Sequence, residues 1–241
     1  LLATMPLFYG HMFMNAKDGP FAVAMCVLLL AVLRAIEDYP SPSRTTVAFL
    51  GLSLGLVLGT RILGGIAVLF VIAPLALLVG QDIADHGART GLRRFGWFVL
   101  VMAAALPLGY LVMGLLWPWS VIEPLNPVRA IAYFSHFFEK PWRELYEGMP
   151  VLVPDMPTSY VPRLLALKLP EAVAVLALAG CAGIVIAATR KSIDVRKRAG
   201  LLLILCAAVV PVAYAMVSRP ALYNGLRHFV FIVPPIAIIA G

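Results

Sequence analysis

The amino-acid sequence predicts an all-α integral membrane protein: a bundle of seven or eight spanning helices, with one long loop on a single face. Three observations lead there. Of the 241 residues, 62% are hydrophobic and only 13% charged, with a mean hydropathy of +0.95; a soluble domain carries about a quarter charged residues. The apolar residues come in blocks rather than alternating, which favours lipid-spanning helices over half-buried strands. Basic residues gather in the short stretches between those blocks.

A helix needs about 20 apolar residues to cross roughly 30 Å of hydrocarbon. The spans expected on that basis are Pro20–Ile36, Thr45–Gly59, Ile62–Val79, Phe95–Trp117, Ala172–Ala188, Gly200–Val217 and His228–Gly241. The opening Leu1–Met14 reads as the end of a further span. Both termini fall in apolar runs and no cleavable targeting signature is present, so a fragment of a longer protein is expected. Thr45–Gly59 is short, and only Thr60 and Arg61 separate it from the next block, which reads as a tight helical hairpin. Residues 118–170 form the long loop, rich in aromatics and proline. Within it Asn126 can cap a helix that has Pro127 at its first position. The stretch Val128–Phe138 then places Ile131, Phe134 and Phe138 near one face, as an interfacial helix would. A second such helix is expected over "YVPRLLALKLP". No repeat or linker divides the chain, so residues 1–241 form one domain.

The charges fix an orientation. Alternating the sides puts Arg34, Arg44, Arg89, Arg93, Arg94, Arg190, Lys191, Arg196, Lys197 and Arg198 in inside loops. Cationic loops stay on the cytoplasmic side, so Asp18, Arg61 and the long loop face out, toward the periplasm if the membrane is a bacterial inner membrane. That topology accounts for the net charge of +7 without a nucleic-acid partner. Cys26, Cys181 and Cys206 lie in apolar segments without ligand spacing and read as packing residues. His11 and His136 read first as interfacial side chains.

No Asp, Glu, Lys or His falls in the central third of any expected span. Charges at the bilayer centre mark ion paths and proton relays; their absence points to work at the membrane surface. Three clusters stand at the outer ends of helices. The first is Lys17–Asp18 before Pro20, where Asp18 suits a helix N-cap. The second is Thr60–Arg61, where Arg61 suits a headgroup anchor. The third is "SRPALYNGLRHF", with Arg219, Tyr223, Arg227 and His228. Together, one carboxylate and several cations suit a lipid-linked phosphate, because guanidinium groups match phosphate oxygens and stabilise a leaving phosphate.

The stretches "GHMFMNAKDGPFA", "GLSLGLVLGTRILGG", "PTSYVPRLLALKLP" and "GLRHFVFIVPP" resemble the middle of the polyprenyl-phosphate-sugar-dependent membrane glycosyltransferases. These are the enzymes related to protein O-mannosyltransferases and to the aminoarabinose transferase of lipid A, with the C-type glycosyltransferase fold. The matching positions are Asp18 with Pro20, Thr60 with Arg61, and Arg227 with Pro234–Pro235. The resemblance implies inverting transfer of a sugar from a polyprenyl-phosphate donor to a hydroxyl acceptor outside the cytoplasm. It places the principal carboxylate base in an earlier outer loop, beyond this fragment. Asp18 would be a secondary acidic residue of the site, Arg61, Arg227 and Lys17 would bind the donor phosphate, and His11, Tyr223, His228 and Tyr160 would line the substrate pocket. Departures from the family pattern leave the acceptor open: Gly19 separates Asp18 from Pro20, Arg61 replaces the commoner Lys, and Ile62 stands where Gly often follows. No residue cluster suggests a metal ligand set, although a divalent ion, Mg or Mn, is chemically reasonable at the phosphate. Two other readings stay open. A transporter or flippase of lipid-linked saccharides would need a polar path, for example along Ser53, Thr60 and Tyr214. A non-catalytic membrane subunit would need only the scaffold.

Overall fold

A computed structural model describes Leu2 and residues 5–135 and 142–241. His136 and Phe138 therefore lie outside the described residues. Among the described residues the regular structure is helical except for one hairpin. Its elements are α1 (Pro6–Met14), α2 (Asp18–Asp38), α3 (Arg44–Thr60), α4 (Ala67–His86), α5 (Ala88–Ala103), α6 (Ala105–Leu116), α7 (Trp119–Ile122), α8 (Asn126–Ser135), β1 (Arg143–Tyr146), β2 (Met149–Leu152), α9 (Tyr160–Lys168), α10 (Glu171–Thr189), α11 (Val195–Ser218) and α12 (Val233–Ala240). Short 3-10 turns at Ile62–Ile66 and Arg227–Ile232 lead into α4 and α12. Five helical stretches are long and apolar enough to cross a membrane: Asp18–Asp38, Ile62–His86, Ala88–Leu116, Glu171–Thr189 and Val195–Ser218. Arg44–Thr60 and Arg227–Ala240 are shorter apolar helices. The opening helix α1 has only nine residues.

Contacts between distant residues give the directions. Arg61, at the end of α3, meets Asp18 at the start of α2, so the two helices run antiparallel. The helix α4 leaves that end and brings Asp82 to the Tyr39 hydroxyl, just beyond α2 (3.1 Å). The reversal expected at Thr60–Arg61 is present, but its arms splay. The helix α3 packs on α2 and α6, whereas α4 packs on α11 and α5. Arg61 itself is extended (φ −152°, ψ 127°), which breaks the helical run.

Close packing of α3 on α6 comes from small residues. Gly51, Gly55 and Gly59 recur every fourth residue and face α6, and such stripes let helix backbones approach in an apolar medium. A methyl group on Gly51 would stand 2.7 Å from the Ala105 carbonyl oxygen, and one on Gly55 would stand 2.6 Å from that of Gly109. The residue order of these contacts makes α3 and α6 parallel. Pro107 explains why α5 and α6 are two helices, since its ring excludes the carbonyl of Ala103 four residues earlier. The helix α5 begins seven residues before the apolar block at Phe95, because helical hydrogen bonding continues through the polar turn Ala88–Arg94.

The end away from Asp18 is tied by a second polar cluster. Asp82, 6% exposed, takes Arg94 at 2.9 Å and His86 at 3.0 Å besides the Tyr39 hydroxyl. Arg196 donates to the Tyr39 carbonyl at 2.9 Å, and buried Arg198 reaches the Ala188 carbonyl and Gln81. Burial and the Asp82 carboxylate push the Tyr39 hydroxyl up to about 12. This cluster locks the ends of α2, α4, α5, α10 and α11 together.

The long loop is more ordered than two interfacial helices. The helix α8 spans Asn126–Ser135, close to its expected start. Asn126 does not cap it in the usual sense: its amide donates to the Trp119 carbonyl and accepts from Arg129. The expected helix over Tyr160–Lys168 is present as α9. Between them stands the antiparallel pair β1–β2, in the register Arg143 with Leu152 and Tyr146 with Met149. Its two-residue turn, Glu147–Gly148, has positive φ at both positions (54° and 77°), as twisted hairpins require.

Candidate functional site

The start of α2 supplies the first member of the site. Lys17 occupies the cap position without a capping hydrogen bond, and Asp18 is the first helical residue. Gly19 and Pro20 follow at positions whose backbone N–H groups have no intrahelical partner, so proline costs nothing there. The expected N-cap role of Asp18 gives way to a stronger claim on the carboxylate. Asp18 is 1% exposed, with one oxygen 2.5 Å from Arg61 Nη1 and the other accepting from Arg227 Nε at 3.2 Å. The Arg61 contact is too poorly angled for a hydrogen bond and acts as a charge pair. A buried carboxylate keeps its charge only when paired in this way.

Arg61 is therefore more than an anchor at a helical turn. It lies over the Phe21 ring, and its second nitrogen points at His228 Nδ1, 3.4 Å away. Burial pulls its guanidinium below the ordinary value, Asp18 opposes that shift and the Arg227 charge adds to it. Because arginine only donates, Nδ1 of His228 accepts and the proton of the neutral ring sits on Nε2. That Nε2 is buried and finds no hydrogen-bond partner among the described residues. Tyr223 closes the side of the cluster: its ring stands 4.7 Å from that of His228, under the Arg227 guanidinium (5.3 Å) and beside Trp142 (4.9 Å).

Asp18, Arg61, Arg227, His228 and Tyr223 thus come together from three segments, with Asp18 and Arg227 standing 209 residues apart in sequence. Lys17 does not join them: it is exposed and makes no ion pair among the described residues. Tyr160 stands at one remove, its hydroxyl accepting from the Gly225 N–H at 3.2 Å. Burial raises that phenol, and the Gly225 hydrogen bond partly offsets the rise. His11 pairs with Asn15 at 2.8 Å and interacts electrostatically with Lys168, Asp18 and Arg227.

Two cavities share Lys168 as a lining residue, and none of the five cluster residues lines either. A small one of about 280 Å³ is lined by Pro6, Leu7, Gly10, His11 and Lys168. A larger cleft of about 810 Å³ lies between the β1–β2 hairpin, α9 and the Asn224–Gly225 turn. Its polar walls include Glu144, Glu147, Tyr160, Arg163 and Lys168. Trp142, which the folded loop brings against Tyr223, and Lys168, which it brings against Gly225, are the residues the sequence reading missed.

Among the described residues no group of three His, Cys, Asp or Glu side chains stands where it could hold a metal ion. Asp18 is the acidic member of the cluster, and both its oxygens already face guanidinium groups. That donor set does not fit a divalent cation.

Comparison with family models, with curated proteins and with solved structures finds no match for the chain.

Proposed function

We propose that the chain is the membrane scaffold and donor-binding part of a glycosyltransferase that uses a polyprenyl-phosphate-linked sugar. The observation that carries this reading is the Asp18–Arg61–Arg227–His228 cluster, in which one carboxylate holds two arginines and leaves a net positive charge. It stands at the end of an apolar bundle, where a lipid-borne phosphate would arrive. Among the described residues the buried charged ones, Asp18, Asp82 and Arg198, all stand near helix ends. Ser53 and Thr60 spend their hydroxyls on the Leu50 and Leu56 carbonyls of their own helix, which gives a transporter path no support.

In the reaction, an acceptor hydroxyl oxygen bonds to the anomeric carbon while the bond from that carbon to the phosphate oxygen breaks. The leaving polyprenyl phosphate takes the electron pair. The Arg61 and Arg227 cations stabilise that charge in a partly dry site. His228 Nε2–H donates to a phosphate oxygen, satisfying a buried group that otherwise lacks a partner. Asp18 fixes both arginines and takes no proton, since its oxygens are engaged and it is 1% exposed. The acceptor proton passes to a general base outside this cluster.

Orientation follows from charge. The end away from Asp18 exposes Arg44, Arg89, Arg93, Arg190, Lys191, Arg196 and Lys197, and such an end stays cytoplasmic. The Asp18 end then faces the periplasm of a bacterial inner membrane. The acceptor is a hydroxyl of a lipid, glycan or protein.

The test is transfer of labelled sugar from a polyprenyl-phosphate donor by membranes containing the protein, scored per folded molecule. Arg61→Met should lower the rate by at least about 100-fold, as loss of one charge-stabilising group does, and Asp18→Asn should lower it as well, because the two arginines lose the carboxylate that positions them. Transfer at the wild-type rate in both variants would remove this site from the reaction.

A further inference from the structure

The Asp18 cluster leaves one problem for donor binding. Arg61 and Arg227 are 17% and 24% exposed in their side chains, and both are already paired with Asp18. A phosphate that reaches only these groups must compete with a buried carboxylate. The structure offers a cation free of that competition. Lys168, the last residue of α9, is exposed and makes no ion pair among the described residues. It lines both cavities, the small one with Pro6, Leu7, Gly10 and His11 and the larger polar cleft.

A basic residue in the last turn of a helix is commonly there for the helix dipole. Two features go beyond that. The Lys168 ammonium lies against Gly225, where a side-chain carbon would come within 2.9 Å of it. Gly225 has φ +67°, and its N–H is held by the Tyr160 hydroxyl. The Lys168 ammonium thus rests on a turn whose left-handed backbone favours glycine, three residues ahead of His228. On its other side Lys168 interacts electrostatically with His11, which itself senses Asp18 and Arg227. The cation thus lines both the small cavity and the polar cleft.

We infer that Lys168 is the entry contact for the phosphate of an isoprenoid-type phosphate, with the lipid leaving past Pro6, Leu7 and Gly10 and the polar group turned into the cleft of β1–β2 and α9. The inference rests on the donor chemistry proposed above and adds the residue that first captures the phosphate. The same chemistry would hold free inorganic phosphate, and the two sources are separable.

The experiment is calorimetric titration of the purified protein in neutral-lipid nanodiscs with a short isoprenyl phosphate, the matching isoprenol, or inorganic phosphate. Isoprenyl phosphate should bind at least about tenfold more tightly than either of the others, as a charge-assisted contact added to apolar burial requires. Lys168→Gln should weaken it about tenfold, while Lys168→Arg stays near wild type; both variants should keep the wild-type melting temperature, because the side chain is exposed. Inorganic phosphate binding as tightly as the lipid would overturn the lipid assignment. Equal affinities in wild type and Lys168→Gln would overturn the role of Lys168. That second outcome leaves the transfer reading standing, since Asp18→Asn tests it without Lys168.

Discussion

Replacing Asp18 by Asn probes the buried charge cluster most sharply. The variant keeps the size of the side chain and removes the one negative charge facing Arg61 and Arg227. Breaking a buried pair by removing one partner costs about 3–5 kcal/mol, because the other charge is left uncompensated. Here Asp18 is 1% exposed but the arginine side chains are 17% and 24% exposed. Water reaching the arginines reduces the cost to about 2–3 kcal/mol. For a chain of this length each kcal/mol shifts the melting temperature by roughly 2–4 °C, so a drop of about 4–12 °C is expected. A thiol-reactive dye reads the transition in detergent, since Cys26, Cys181 and Cys206 are all free and only partly exposed. The double-mutant cycle with Arg61→Met should give a coupling of at least about 1.5 kcal/mol, within the range for residues in direct contact. Raising salt from about 0.1 M to 1 M should change that coupling little, because buried pairs are weakly screened. A coupling below about 0.5 kcal/mol would refute the reasoning and reduce the contact to a solvated surface pair.

Other parts of the fold make separate predictions. Gly55→Ala should destabilise the protein by about 1–3 kcal/mol through overpacking against α6, whereas Gly65→Ala, which meets open space, should change the melting temperature little. Tyr160→Phe removes the hydrogen bond to the Gly225 N–H and should cost about 1 kcal/mol, with faster amide exchange at Gly225. Tyr39 titrates near 12 in the folded protein and near 10 when unfolded. Its contribution is therefore fully present below about pH 10 and lost between about 10 and 12. In Tyr39→Phe the loss of stability over that range should shrink, as denaturant midpoints at several pH values would reveal.

The parts of the fold legible in the sequence were those set by composition. Apolar blocks located the long helices to within a turn at most ends, and Ser43, which caps α3 by accepting from the Thr46 N–H, marks one start plainly. The start of α5 was harder, because hydropathy marks where lipid contact begins and not where helical hydrogen bonding does. The hairpin at Arg143–Leu152 is hard to read from sequence because its Glu147–Gly148 turn is a weaker signal than Asn-Gly. For the site, Asp18, Arg61 and Arg227 were legible as charges at helix ends on one face. What joins them is tertiary: no spacing rule links Arg227 to Asp18 across 209 residues. Asp82 reads in the sequence as a loop charge just beyond an apolar block, yet it is buried and organises the opposite end. Lys168 and Trp142 lie in a loop whose fold local patterns do not determine.

The most direct measurement of the central claim compares donors. Membranes containing the protein, and control membranes lacking it, are given the same labelled sugar either on a polyprenyl phosphate or on a nucleotide, with hydroxyl acceptors present. Protein-dependent transfer from the polyprenyl-phosphate donor alone is expected, with inversion at the anomeric carbon and reduced activity in Asp18→Asn. Transfer from the nucleotide donor, or none from the lipid donor with folded protein present, would contradict it.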